Sequence, residues 1–143
     1  MNDAETYAYL QGLSEETFVL HGSPYAFDVA EPRPAECGSG TEYKNRCAVY
    51  ASITMFDPVI RAVIHGDTGW RHANSQIKIE GEDLRLGEGY IYVLPRAAFE
   101  ELDNRFWFAA YEPVHPVEMI KIRPTILTLF PEIVLPCNLR LVP

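Results

Sequence analysis

The chain has 143 residues, 48% of them hydrophobic, and its 20 acidic and 12 basic side chains give a net charge of -8. This length and apolar content predict a single domain over 1–143, and the negative charge argues against generic nucleic-acid binding. With no apolar run long enough to cross a membrane, no secretory signal pattern and three scattered cysteines, the sequence predicts a cytoplasmic protein.

The first predicted elements are a helix and a strand. The helix covers 4–10, and Asn2 or Asp3 can serve as its cap. The strand is the apolar run 18–20. It leaves His21 at its exit, because glycine and proline follow almost at once.

A long connection and a second strand come next. Residues 24–46 are rich in proline, glycine and charge and predict a long loop, which in compact domains is often functional. Residues 47–53 are almost uninterrupted in their apolar character and predict a buried central strand. Asp57 and Pro58 are a helix start signal, and this helix should run to about His65 and stop at the following glycine. Its predicted buried side consists of Val59, Ile60, Val63 and Ile64.

The second half of the chain is dominated by strand patterns. Residues 76–80 alternate strictly and residues 89–94 are rich in aromatic and branched side chains, and the two are predicted to pair as a hairpin. The remaining predicted elements are a short helical segment after Pro95, an aromatic strand at 106–108, a strand at 117–122 and a helical turn from Pro124. Strands scattered along the chain with few helices favour an α+β fold over repeated βαβ units.

Two strand segments carry the residues with the most chemical potential. His21 can donate, accept or titrate near neutral pH, and Gly22 beside it allows a ligand to approach the main chain. Tyr50 offers a flat ring for a planar ligand, with the small Ala51 and Ser52 next to it. Taken singly, such a histidine is more often a hydrogen-bonded structural residue, and such a tyrosine is more often part of a core.

The order of these segments is more specific than either one alone. A strand ends in Leu-His-Gly-Ser, a long proline-rich loop follows, and a second strand reads Val-Tyr-Ala-Ser with a helix behind it. This arrangement resembles the ADP-ribosyltransferase superfamily, best over 18–64 and more weakly over 89–95 and 107–122. The resemblance implies a split β-sandwich of two small antiparallel or mixed sheets with short flanking helices, and NAD as the bound substrate.

The resemblance also implies roles for individual residues. His21 would contact a ribose of NAD, and Tyr50 would stack against the nicotinamide ring. The main-chain amide and carbonyl of Gly22 would hold the nicotinamide amide group, with Ser52 nearby. These roles require the rings of His21 and Tyr50 to line the same pocket.

A carboxylate at the start of a late strand is the third element that the resemblance implies. It would stabilise the cationic sugar that forms as nicotinamide leaves, because a negative charge aimed at such a transition state lowers the barrier. Glu112 is the first candidate for this catalytic role and Glu118 the competing one, although a surface carboxylate is the more common role for either. The implied enzyme is a mono-ADP-ribosyltransferase that passes ADP-ribose to an unspecified macromolecular acceptor.

Two other functions remain open at this point. The domain could be a catalytically inactive nucleotide-binding or protein-interaction module of the same fold, if neither glutamate faces Tyr50. It could also be an interaction or inhibitor protein whose acidic surface masks a basic partner. No histidine or cysteine spacing indicates a metal site. Three basic residues beside the long loop could hold a pyrophosphate but are more typical of a solvated loop, namely Arg33, Lys44 and Arg46.

Overall fold

The structure, a computed structural model, describes residues 1–33, 47–65, 69–81, 83–102, 107–135 and 140–141. These residues contain two α-helices, α1 (Asp3–Gln11) and α2 (Phe56–Val63), and two 3-10 helices at Arg96–Ala98 and Pro124–Leu129. Their strands are β1 (Phe18–Ser23), β2 (Val49–Ser52), β3 (Ile64–His65), β4 (Gly69–Ala73), β5 (Gln76–Glu80), β6 (Arg85–Leu86), β7 (Gly89–Pro95), β8 (Glu100–Glu101), β9 (Trp107–Ala110), β10 (Glu118–Ile122), β11 (Ile133–Val134) and β12 (Arg140–Leu141).

The strands form one large and two small sheets. The large sheet has the order β10-β7-β1-β2-β9-β8, and all its neighbours are antiparallel. The small sheets, β11-β5-β4 and β12-β6-β3, each combine one parallel with one antiparallel pair. The predicted fold class is therefore confirmed at the level of a mixed α+β protein with few helices and small antiparallel or mixed sheets.

The predicted hairpin of residues 76–80 and 89–94 is wrong. Both segments are strands, as predicted, but β5 pairs with β4 and β11, whereas β7 pairs with β1 and β10. The short strand β6 lies between them in the chain and belongs to the third sheet. Most of the predicted long loop, residues 34–46 with Lys44 and Arg46, lies outside the described residues.

Helix α1 begins where its capping residues predict. The Asn2 side chain accepts a hydrogen bond from the main-chain amide of Glu5 at 2.8 Å, and the Glu5 carboxylate accepts one from the Asn2 amide at 3.1 Å. This reciprocal capping box satisfies two amides that the helix itself leaves without partners. Gly12 is the C-cap, so the predicted helix is confirmed, and it extends one residue beyond the predicted 4–10 at each end.

Helix α2 differs from its prediction at both ends. Its N-cap is Met55, and the carboxylate of Asp57 accepts a hydrogen bond from Arg61 at 2.8 Å, so it forms an ion pair within the helix instead of a cap. The helix stops at Val63 because the next two residues are extended and pair with β6 as β3. The predicted burial of its apolar side is confirmed for Val59, Ile60 and Val63, whereas Ile64 is partly buried.

The large sheet has two differently covered faces. On the helix face, defined by Leu20, Ile91 and Val93, α2 packs against the sheet in the main core. On the loop face, defined by Val19 and Tyr92, residues of the segment after β1 and of the chain after β9 complete a second core. Because side chains alternate along a strand, each residue of β1 belongs to one face only.

Two glycines allow α2 to approach the sheet at main-chain distance. A Cβ added at Gly22 of β1 would lie 1.8 Å from the carbonyl oxygen of Pro58, and one added at Gly89 of β7 would lie 1.8 Å from that of Ala62. No side chain fits at either position. The helix is therefore seated directly on β1 and β7 near both of its ends.

Candidate functional site

His21 lies on the loop face of β1, opposite Tyr92 of β7. Its ring centroid is 6.2 Å from that of Tyr92 and 6.0 Å from that of Phe27. Its Nδ1 lies 2.6 Å from the main-chain carbonyl oxygen of Tyr50. A carbonyl oxygen can only accept, so Nδ1 donates and, in the neutral ring, Nε2 is left as an acceptor. In the part of the chain that the structure describes, Nε2 has no hydrogen-bond partner.

The surroundings of His21 favour its neutral form. Burial lowers the pKa of the imidazole, the bond to the Tyr50 carbonyl opposes this, and the charges of Arg61 and Arg33 lower the pKa further. The net direction is downward from the ordinary histidine value of 6.5. At neutral pH, His21 therefore presents an unprotonated Nε2 held in place by its other nitrogen.

The lowered pKa of His21 predicts a loss of stability in mild acid. Above the ordinary value of 6.5 the group is neutral in both states and contributes no pH dependence. As the pH falls from 6.5 toward the lower folded pKa, the unfolded chain takes up a proton that the folded chain does not, so the free energy of unfolding decreases by at most about 1.4 kcal/mol per pH unit. Urea unfolding at pH 7.5 and 5.5 should show a smaller acid loss in His21→Asn, whose amide does not titrate. An equal loss in both proteins would show that the lowered pKa of His21 does not cause it.

Tyr50 lies on the other face of the sheet. In β2 it pairs with Ala109, and its ring packs in a small cluster with Ala48, Leu102 and Trp107. The one paired position between β1 and β2 joins Leu20 to Ser52, which puts Ser52 and Tyr50 on the helix face and His21 on the loop face. The structure thus brings the imidazole of His21 to the main chain of Tyr50 but separates their rings, which the resemblance requires to share a pocket.

Gly22 and Ser52 have clear structural roles. Gly22 lies under Pro58 of α2, where no side chain fits. Ser52 is 1% exposed, and its hydroxyl oxygen accepts from the Thr54 amide at 3.0 Å and lies 2.7 Å from the Thr54 hydroxyl. These bonds hold the turn between β2 and α2. The close approach of Pro58 explains Gly22, and the bonds to Thr54 explain Ser52, without a ligand.

Neither candidate carboxylate lies next to His21 or Tyr50. Glu112 is exposed in the bend after β9, three residues beyond the Ala109 that pairs with Tyr50, which is about 10 Å along the strand direction. Glu118 does begin a late strand, but β10 is separated from β2 by β7 and β1, a distance of about 14 Å. Its carboxylate accepts a hydrogen bond from Tyr9 of α1 and raises the pKa of that phenol.

The resemblance places its carboxylate at the start of a late strand near the second strand. In the structure, β9 is the late strand next to β2, and it begins with Trp107, which pairs with Ser52. Trp107 is the first residue of β9 that the structure describes. Asp103, Asn104, Arg105 and Phe106, which precede it in the chain, are outside the described residues.

An arginine held between aromatic rings lies on the helix face and was not singled out by the sequence patterns. The guanidinium carbon of Arg61 is 4.9 Å from the ring centre of Trp70 and 5.4 Å from that of Trp107. Its Nε donates to Asp57 at 2.8 Å. The spacing of Asp57 and Arg61 on a helix could have indicated the ion pair. The two indoles come from β4 and β9, so no local pattern indicates their contact.

Known proteins give no indication of the function of this chain. No protein-family model, curated protein or solved structure matches this chain. Among the described residues, no group of histidine, cysteine or acidic side chains is arranged to hold a metal ion. Neither described α-helix is long and apolar enough to cross a bilayer.

Proposed function

We propose that this domain is a nucleotide-binding module of ADP-ribosyltransferase-like architecture that binds NAD or a related nucleotide without transferring ADP-ribose. A ribose hydroxyl of the bound nucleotide would donate to Nε2 of His21, at the place where β1 and β2 stop pairing. The observation that carries the proposal is the bond of 2.6 Å between Nδ1 and the Tyr50 carbonyl. That bond fixes the ring and its tautomer, and it leaves one acceptor without a protein partner in the described residues.

The strand arrangement supports binding at this position. β1 and β2 pair at a single position, Leu20 with Ser52, and the side chain of the next residue, His21, bonds to the main chain of Tyr50. The strand pairing between β1 and β2 therefore ends next to His21. Gly22 and Ser23 continue β1 past this point, paired with β7 on the other side.

The positions of Glu112 and Glu118 favour binding over transfer by either of them. A sugar cation would need a carboxylate close to the scissile bond, because electrostatic stabilisation requires direct proximity. Glu112 lies about 10 Å from the level of Tyr50 along the strand direction. Glu118 is on a strand about 14 Å from β2 across the sheet. A transferase that uses either glutamate is accordingly disfavoured, and the inactive module becomes the preferred function.

Calorimetric titration with NAD and ADP-ribose tests the proposal through two amide substitutions at position 21. The amide of His21→Asn can keep the donor at the Nδ1 position but removes the Nε2 acceptor, and we expect it to weaken binding about tenfold, the loss of one useful hydrogen bond. His21→Gln places its amide near the Nε2 position and loses the inner bond. It should retain part of the affinity but lower the stability of the fold.

Three results would contradict the proposal in different parts. Equal affinity of the wild type and His21→Asn would remove the assigned role of Nε2. The absence of any binding of NAD, ADP-ribose or adenosine by the folded wild type would contradict nucleotide binding altogether. Release of nicotinamide from NAD by the wild type, abolished in Glu112→Gln, would show that the domain is a transferase or hydrolase instead of an inactive module.

A further inference from the structure

We infer that the side chain of Phe27 occupies the place beside His21 that a flat ring of the nucleotide would take, so that binding at His21 requires Phe27 to move out. Phe27 is in this sense an autoinhibitory residue. The inference rests on the proposed function, because it concerns access to the same Nε2 atom. Its basis is the arrangement of three rings on the loop face of the large sheet, those of His21, Phe27 and Tyr92.

Phe27 lies on Tyr92 as a flat ligand would. The two ring centroids are 3.9 Å apart and the ring planes differ by 8°, so most of one ring covers the other. Pairs of aromatic side chains prefer offset or edge-to-face arrangements, with centroids about 4.5–7 Å apart. Tyr92 is fully buried, whereas Phe27 is only partly buried. Phe27 therefore covers one ring face of Tyr92 while remaining in contact with solvent itself.

The place that Phe27 covers has the chemistry of a nucleoside site. The ring centroid of His21 is 6.0 Å from that of Phe27 and 6.2 Å from that of Tyr92. Nε2 of His21 is an acceptor without a hydrogen-bond partner in the described ranges, because Nδ1 makes the bond to the Tyr50 carbonyl. With Phe27 moved out, the ring face of Tyr92 would lie open next to the imidazole. A flat apolar wall with a fixed polar group beside it is suited to the ring and the ribose of a nucleoside.

The segment that carries Phe27 can open without disrupting the sheet. It consists of residues 24–29, between the end of β1 and Ala30, whose amide and carbonyl both bond to Val114 at 2.8 Å. Apart from one local bond to the last residue of β1, its described hydrogen bonds to the sheet both go to the Tyr92 hydroxyl. Three of its six side chains are exposed, namely Tyr25, Ala26 and Asp28. A segment with so few contacts opens locally at a lower free energy than the whole domain unfolds.

Calorimetric titration with NAD, nicotinamide and adenosine tests the inference. Phe27→Ala removes the ring but keeps the main-chain amide that bonds to Tyr92. We expect it to bind NAD at least tenfold more tightly than the wild type, because no side chain has to be displaced. A gain for nicotinamide or for adenosine shows which ring takes the place of Phe27. Tyr92→Phe keeps all the rings but releases both bonds of the segment, and it should also bind NAD more tightly, by a smaller factor.

A second phenylalanine supplies the matched control. Phe99 is also partly buried and packs against the same core, but no ring contact joins it to His21 in the described part of the chain. Phe99→Ala should bind NAD with the affinity of the wild type. Circular dichroism and the melting temperature show whether each variant is folded. If Phe27→Ala does not fold, nuclear magnetic resonance of the wild type decides, because saturation with NAD should remove the shifts that stacking on Tyr92 causes in the Phe27 ring protons.

The outcomes separate this inference from the proposed function. If folded Phe27→Ala binds NAD no more tightly than the wild type, or if the Phe27 ring signals stay unchanged at saturation, the inference is overturned. His21→Asn can still weaken NAD binding in that case, and the proposed function then stands. If the wild type does not bind NAD but Phe27→Ala does, the inference holds and nucleotide binding by the wild-type domain falls. If neither protein binds any of the three ligands, both are overturned.

Discussion

Replacement of Gly89 by alanine should lower the free energy of unfolding by about 3 kcal/mol or more, which corresponds to a fall of about 10 °C in Tm. A Cβ at this position would lie 1.8 Å from the carbonyl oxygen of Ala62, inside van der Waals contact with the main chain of α2. Main chain cannot rotate aside as a side chain can. The helix must therefore move away from β7, and the buried residues on its apolar side lose packing.

A second glycine supplies the control for this experiment. A Cβ added at Gly69 of β4 meets no atom within 4 Å, so Gly69→Ala should be close to neutral in the same urea titration. The comparison separates the clash from the general change in flexibility that any glycine replacement causes. If Gly89→Ala is as stable as Gly69→Ala, the close seating of α2 on the sheet is wrong.

Removal of the Tyr92 hydroxyl should cost about 2 kcal/mol and loosen the segment after β1. The hydroxyl donates to the carbonyl of Tyr25 and accepts from the amide of Phe27, both at 2.8 Å, and the tyrosine side chain is fully buried. Tyr92→Phe keeps the ring stacked on Phe27, 3.9 Å between centroids, but leaves both main-chain groups without this partner. Hydrogen exchange should increase at the Phe27 amide more than in the centre of β7.

Tyr90 is the matched control for Tyr92. It lies two residues earlier in β7 on the same face, and its hydroxyl makes no hydrogen bond within the described residues. Tyr90→Phe should therefore leave both stability and exchange at Phe27 unchanged. If Tyr90→Phe and Tyr92→Phe lower the free energy of unfolding equally, the hydrogen bonds of the Tyr92 hydroxyl do not explain its contribution to stability.

The elements that the sequence predicted well are those with a long, regular pattern. The strict alternation of Gln76–Glu80 matched β5 at both ends, because Ile77 and Ile79 are buried and their neighbours are not. The two-residue strands β3, β6, β8, β11 and β12 are too short to have a pattern. The pairing of β7 with β1 could not be read from the chain, because closeness in sequence does not decide which strands are neighbours in a sheet.

The sequence predicted the two strands that carry the candidate site, but not the face of the sheet on which each side chain lies. β1 and β2 are neighbours, and His21 contacts the main chain of Tyr50, whereas the resemblance requires the two rings to share a pocket. Which side each ring takes depends on the pairing of Leu20 with Ser52, and a shift of one residue would have put both rings together. Hydrophobic pattern does not fix this register, since both faces of the sheet are covered by core. The contacts of Arg61 with Trp70 and Trp107 also depend on tertiary structure and could not be predicted from local sequence.

The ribosome synthesises β1, a central strand of the large sheet, long before β7, the strand with which it pairs along its whole length. β1 has one paired position with β2, and its full set of partners is on β7, which follows more than half of the chain. A growing polypeptide leaving the ribosome therefore carries Val19 and Leu20 without their partners on β7 until Leu94 and Val93 have been synthesised. Closing so long a connection is slow, so chaperone capture of the nascent chain should concentrate in this interval, and premature termination before β7 should yield an aggregating fragment.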